Sequence, residues 1–367
     1  MKKLLTLALI LSSTTAFATR SRVTALGNSP HLTDTATTYT KPADMMKLSD
    51  SLTIESGRTD LTLGTHTTSQ GAEGLLIRSM GDSKFALSLG HDDQMIYDLR
   101  TAANTAPNAV ATVGQQNPIG LSYGMKSGEM SFAGTLIYSN FENKLVGSEQ
   151  KENSMGLIFG ASAAMWNASA AILLADKWQS GTGATLNDYK GKGFDLNAGY
   201  DVMSDLYVYG GIKSVGFKST IATADAKDVE KMTIHIGVVS TIKKDGTEFF
   251  YGARLNNETS KDKVTATDSK SSKMNMPLII GLESEANSWL TLRGSVTQTL
   301  LLVDTSKTEV GTTTTVDTSP GANTTTLAAG AGLKFNKVSV DGSILTNQTQ
   351  TINSGNLLAQ VGLTYAF

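Results

Sequence analysis

The side chains able to do acid–base chemistry are few and poorly placed for it. Four histidines occur in 367 residues, His31, His66, His91 and His235, and there is no cysteine. Disulfide frameworks, thiolate nucleophiles and thiolate metal sites are therefore excluded. His91-Asp92-Asp93 sets an imidazole beside two carboxylates, but acid–base work needs such groups held within hydrogen-bond reach. This trio falls in a polar stretch, 91–116, with the composition of a loop. His235 is followed on the same strand face by Gly237, which offers no hydroxyl. No nucleophile motif, phosphate-binding loop or metal-ligand cluster appears. The residues point to no enzyme, no catalytic group, no metal and no cofactor.

What the chain does carry is charge set into one half of a repeating pattern. Segments of about ten residues alternate apolar with small or polar side chains along the sequence. In 191–203, Phe194, Leu196, Ala198, Tyr200 and Val202 alternate with Asp195, Asn197, Gly199 and Asp201. Similar patterns fill 230–243, 247–258 and 272–285. Alternation at period two makes strands with one apolar and one polar face, whereas a helix needs apolar spacing of three and four. The polar set holds Glu55, Arg78, Asp195, Asp201, His235, Arg254, Glu283, Arg293 and Asp341.

The two ends say which environment the apolar faces meet. Lys2 and Lys3, the apolar run Leu4 to Leu11 and the small-residue site Ala16-Phe17-Ala18 read as a cleaved signal peptide over 1–18. Its loss takes the formal charge from −2 to −4 (two lysines), and no basic stripe suggests nucleic acid. At the other end, Leu357, Ala359, Val361, Leu363, Tyr365 and Phe367 form one alternate set, with Gln360, Gly362 and Thr364 in the other.

Gln360, Gly362, Tyr365 and the terminal Phe367 fill the places of the C-terminal assembly signal of outer-membrane barrels, and the whole chain resembles porin-type proteins of the Gram-negative outer membrane. That resemblance implies an all-β fold, a transmembrane antiparallel up-and-down barrel with short periplasmic turns and long extracellular loops. Sixteen alternating segments are expected between residues 51 and 367, with 14 as the alternative even number. The resemblance also implies outer-membrane lipid, the barrel assembly machinery and periplasmic chaperones as partners. It further implies a homo-oligomer as one assembly form, and passive diffusion or ion transport of small hydrophilic solutes as the activity. Single-chain bacterial barrels of this size leave an aqueous channel, which the charged set above would line.

Three further expectations concern positions. Trp166 and Trp178, twelve residues apart on one face, would be separated by about 28 Å along the membrane normal at roughly 45° tilt, matching two aromatic girdles. The loop 91–116, with Asp92, Asp93, Asp98 and Arg100, is read either as an inward constriction or as an external loop against a neighbouring subunit. Residues 19–50 are read as a periplasmic extension or a luminal plug. For the plug, Lys41-Pro42-Ala43-Asp44-Met45 resembles the Asn-Pro-Ala motif ahead of the barrel in the long-chain fatty-acid transporter family, with Lys in place of Asn. A plugged barrel would carry hydrophobic compounds; a structural or adhesion barrel is the remaining alternative.

Overall fold

The computed structural model describes residues 19–57, 72–104, 112–145, 148–182, 186–221, 224–264, 267–310, 313–318, 324–348 and 357–367. The segment 1–18, read from sequence as a signal peptide, lies outside them. Within them the alternating segments become strands β1 (Ser51–Ser56), β2 (Ala72–Met80), β3 (Ser83–Leu89), β4 (Ile119–Ser127), β5 (Met130–Leu145) and β6 (Ser148–Ser162). These continue as β7 (Trp166–Ser180), β8 (Asn187–Met203), β9 (Leu206–Ile221), β10 (Ala224–Lys244), β11 (Thr247–Val264) and β12 (Thr267–Asn287). The last five are β13 (Leu290–Val310), β14 (Thr313–Thr318), β15 (Thr324–Phe335), β16 (Val338–Gln348) and β17 (Leu357–Ala366).

Consecutive strands pair antiparallel, save that β14 and β15 both pair with β13, and β1 pairs with both β2 and β17, closing the sheet on itself. β14 and β15 pair with the two halves of β13 in the same register (Val310↔Thr313 to Thr305↔Thr318, and Thr299↔Thr324 to Leu290↔Leu333). They are two parts of one stave, so the wall has 16 staves. The closing seam is set by Ser51↔Ala366 and Thr53↔Thr364, whose hydroxyls lie 3.0 Å apart.

Alternation decides which way each side chain points. Leu52 and Ile54, Ile119 to Met125 at alternate positions, Leu196, Ile234, Ile236, Ile280 and Leu363 all stand exposed on the outer surface, while Ser51, Thr53, Glu55 and Thr364 are buried inside. A continuous apolar exterior on a wall with no free edge is what hydrocarbon demands, because each unpaired backbone group there costs several kcal/mol. Short turns join the staves at one end of the barrel. Asp245 and Gly246 both take positive φ (48° and 75°), the conformation a two-residue hairpin requires. Ala163–Trp166 is likewise a turn, closed by the Ala163 amide donating to the Trp166 carbonyl at 2.9 Å. Trp289, Phe335 and Phe367 are exposed at this end of the wall, as an inner aromatic girdle would be.

Two expectations are corrected. The polar stretches 219–229 and 257–271 and the start of 304–322, where the sequence predicts long extracellular loops, are largely extensions of β9 to β13 among the described residues. Both faces there meet water, so the apolar alternation disappears while the backbone ladder continues. Cross-strand pairs such as Lys218–Asp228 and Lys231–Glu258 line these hairpins. The outer girdle assigned to Trp178 also fails. β7 shifts register against β8 between Ile172 and Lys177, and β6 shifts against β7 at Met155/Gly156. This bulge reverses the parity of the strand: Ile172 and Leu174 face out, but Asp176 and Trp178 face in, each 1 % exposed.

The interior is occupied. Residues 19–50 form helix α1 (Arg20–Ala25) and two 3-10 turns, Ala36–Tyr39 and Pro42–Lys47. Helix α1 lies against β13, β15, β16 and β17, and the second 3-10 turn against β3 to β6. Leu26 and Leu32 pack with Val239 and Phe250 of β10 and β11. Met45 and Met46 join Leu75, Ile77, Ala86 and Ala133 of β2, β3 and β5. Gly160 makes one of these approaches feasible, since a Cβ there would come within 2.8 Å of the Ala43 nitrogen. Helix α2 (Gln94–Ala103) fills the remaining sector against β7 to β9, burying Met95, Ile96, Leu99 and Ala103 against Leu173, Trp178, Val215 and Phe217.

Candidate functional site in the barrel lumen

Charged side chains of the wall hold both internal segments through two networks. In the first, the Arg22 guanidinium donates to both oxygens of Glu283 (2.7 and 2.9 Å) and reaches Asp34 at 3.3 Å. Burial pulls the Arg22 pKa down, yet Glu283 and Asp34 together hold it above its ordinary value. Arg293 bridges Glu283 and Asp341 at 2.6 and 2.5 Å. Arg20 donates to Glu73 at 2.5 Å, and the His91 ring sits 2.7 Å from the same carboxylate while stacking on Tyr39 at 3.4 Å. The His91-Asp92-Asp93 trio thus belongs to the packing of the internal segments. Burial pushes Asp34 up to about 7, with the Arg22 charge opposing and the Asp341 charge adding.

The second network fixes α2. Arg100, 2 % exposed, donates to Asp176 at 2.6 Å and to Glu152 at 3.0 Å. Tyr189 donates to the other Asp176 oxygen, and Ser139 and Ser154 donate to Glu152. Asp93 caps the helix, accepting from the Met95 and Ile96 amides at 2.8 and 3.2 Å. Asp98 pairs with Lys213 of β9 at 2.6 Å. An ion set this dry is stable only because every carboxylate oxygen finds a donor or cation.

Between the two networks lies a cavity of about 800 Å³. Its wall side is Asn167 and Ser169 of β7, Asp195 and Asn197 of β8, Tyr207 and Tyr209 of β9, His235 of β10 and Arg254 of β11. Residues 19–50 supply Arg20, Thr24, Asn28, Ser29, Tyr39 and Lys41, and the 91–97 stretch supplies His91, Asp92, Gln94 and Tyr97. The tyrosine rings lie along the wall because Gly199 and Gly237 leave room. A Cβ at Gly237 would meet the Tyr209 ring at 2.5 Å. The Tyr207 and Tyr209 centroids are 5.9 Å apart, and His235 lies 6.1 Å from Tyr209. The Asn167 amide donates to the Tyr207 hydroxyl at 3.0 Å. The buried Nε of Arg254 has no partner. Volume and shape suit a small molecule, and the lining offers donors, acceptors and aromatic faces rather than an apolar sleeve.

Of the lumen positions expected from sequence, Glu55, Asp195, Asp201, His235, Arg254, Glu283, Arg293 and Asp341 share the inward set. Only Glu55, Asp195, His235 and Arg254 reach the cavity. Arg78 stands instead on the outer set. Leu75 and Ile77 beside it point inward, and the Arg78 guanidinium lies 4.8 Å over the outward-facing ring of Phe367 and 3.7 Å from Asp50. Gln360 and Gly362 face in, Tyr365 and Phe367 out. Sequence reading missed Arg20, Arg22, Asp34, Glu73, Glu152 and Lys213 as members of the site. One signal was available for α2: Asp93 precedes Met95, Ile96, Leu99 and Ala103, which is a capped helical spacing. Among the described residues no group of His, Asp and Glu is disposed to hold a metal.

No family model matches the chain, and no curated protein does. Solved structures that resemble it include the CymD monoaromatic hydrocarbon channel, at 9 % identity and TM-score 0.44 over 95 % of this chain and 97 % of that one. A Pseudomonas aeruginosa FadL homologue is similar at 11 % identity and TM-score 0.46, again over 95 % and 97 %. A porin is similar at 10 % identity and TM-score 0.39, over 86 % and 99 %. The assignment of a closed 16-stave barrel rests on the strand registers.

Proposed function

We propose that this protein is an outer-membrane channel for small hydrophilic solutes whose lumen is plugged by residues 19–50. The observation that carries the reading is that this segment touches the inner wall along a long continuous arc, from β10 to β13, on through β15 to β17 and β1, to β2 and as far as β6. An extension hanging below the barrel would touch one rim. The solute class follows from the cavity, whose lining sets amides, hydroxyls and charges of both signs among aromatic and small apolar surface. Mixed signs favour weak ion selectivity. The apolar exterior and the seam at Thr53 and Thr364 support a lipid setting, and the signal peptide and C-terminal motif support the outer membrane of a Gram-negative cell. A second reading, passage of hydrophobic compounds, draws on the apolar wall patch of Leu173, Trp178, Val215 and Phe217. In the present arrangement α2 covers that patch.

A tether tests the plug. The Ala25 Cβ lies 2.7 Å from where a Gly330 Cβ would be, near enough for a disulfide after about 1 Å of relaxation, and the native chain has no competing cysteine. Ala25→Cys with Gly330→Cys should slow sugar-driven swelling of proteoliposomes when oxidised and recover when reduced. Swelling unaffected by oxidation, with the disulfide verified by mass, would refute a moving plug. Swelling silent in both states, with uptake of an apolar probe, would favour the second reading.

A further inference from the structure

We infer that the lumen contains a built receptor for the chain's own amino terminus, formed by Glu55, Asp341 and Gln360 and filled when the signal peptide is removed. The inference rests on the plug reading and adds how the plug is fastened. Hydrolysis of the Ala18–Thr19 amide by a signal-processing peptidase leaves a carboxylate on Ala18 and a new α-ammonium on Thr19.

Thr19 is fully buried (0 % exposed). Its Cβ lies 2.6 Å from where a Cβ of Gly362 would stand. Gly362 is the register partner of Glu55 on one side and of Asp341 on the other, so Thr19 sits in the gap between two carboxylates. The next nitrogen along the chain already uses one of them: the Arg20 amide donates to Glu55 Oε1 at 2.7 Å. The other carboxylate is incomplete. Asp341 is 1 % exposed, Arg293 holds its Oδ1, and its Oδ2 lacks a close hydrogen bond, with the Thr19 side chain standing beside the carboxylate. Gln360, two residues from Gly362 on the same face, is 7 % exposed with neither side-chain polar atom partnered. Buried polar atoms left unpaired cost about 1–3 kcal/mol each, and those of Asp341 and Gln360 lie on the strand paired with Gly362 and on its own strand.

Charge points the same way. Glu55, Glu73, Glu283, Asp341 and Asp34 form a belt with Arg20, Arg22 and Arg293, and the His91 ring stands beside Glu73. Four carboxylates, beside an Asp34 whose pKa burial pushes up to about 7, therefore meet three guanidiniums and one imidazole. An ammonium at Thr19 supplies a further cation at the edge of the belt with an open acceptor. A chain still carrying residues 1–18 has an amide there, with no charge and one donor, so complete seating of the plug follows processing.

Acetylation by an N-hydroxysuccinimide ester tests this on the mature full-length protein, purified from membranes and judged folded by heat-modifiable mobility. The peptide beginning at Thr19 is quantified by mass spectrometry. The α-amine should react at least about tenfold more slowly in the folded barrel than in urea, while the exposed Lys218 and Lys243 amines react alike in both. Its apparent pKa from the pH–rate profile should lie above the ordinary range of about 7.7–8.0, since opposite charge favours the ammonium. Asp341→Asn and, independently, Glu55→Gln should each bring pKa and rate back toward the unfolded values. A mature chain starting elsewhere, an amine that reacts equally folded and unfolded, or protection unchanged in both variants would each overturn the inference. The tether experiment stands apart, so a freely reactive amine beneath a functioning plug sinks this inference alone.

Discussion

At the scale of single residues, the interior is held by charges that no motif announces. Asp34 is the clearest titratable element among them. Its folded-state pKa of about 7 lies above the ordinary aspartate value near 3.9. The protonated carboxyl therefore stabilises the seated segment fully below about pH 4, and this contribution is lost as pH rises through about 7. Channel openings in a planar bilayer should accordingly be more frequent at pH 8 than at pH 5, and Asp34→Asn should flatten the dependence. A pH response retained in full by Asp34→Asn would assign it to other groups. Glu283, Arg293 and Asp341 stand in the polar set of their strands, and in the structure all three side chains join the internal ion network, because position within an alternating strand decides direction. Sequence reading could not pair them with Arg22 or Asp34. Those partners come from a segment hundreds of residues away, and a lone carboxylate facing inward looks the same whether it meets water or a guanidinium.

At the scale of elements, period-two alternation made the staves and their turns legible, and breaks in that period hid the rest. A bulge adds one residue with no sequence mark of its own, so the parity carried along β7 from Trp166 gave the wrong face for Asp176 and Trp178. Arg78 was misassigned for a related reason: β2 carries apolar Leu75 and Ile77 on its inner face, opposite Met45 and Met46, so polarity there does not report direction. Helix α2 was hidden in a stretch read as loop. Cysteine scanning tests these orientations directly. Asn197→Cys and Arg254→Cys should react with small water-soluble thiol reagents in intact cells, while Leu196→Cys and Ala253→Cys should stay protected by lipid. On β7, Leu174→Cys should be protected as well, as the outward parity before the bulge requires. Equal labelling of both sets would be incompatible with the wall orientation described above.

At the scale of the whole molecule, closure and filling are separate problems solved by the two ends of the chain. The C-terminal strand closes the wall against β1, and its last residue is outside that bonding pattern except for the Phe367 amide, which donates to the Asp50 carbonyl at 3.2 Å. Deleting Phe367 shifts no register. A strong fall in membrane-inserted, heat-modifiable protein in cells, with refolding into detergent little changed, is the outcome expected if the assembly machinery reads this residue; normal membrane levels would argue against it. The N-terminal segment fills what the wall encloses. The most direct measurement of that claim is single-channel conductance of the intact protein beside a variant lacking residues 20–48, with the signal-peptide junction kept. The account predicts small, infrequent steps from the intact barrel and large, stable, weakly selective ones from the deletion. Equal conductance from the two, both correctly folded, would contradict it.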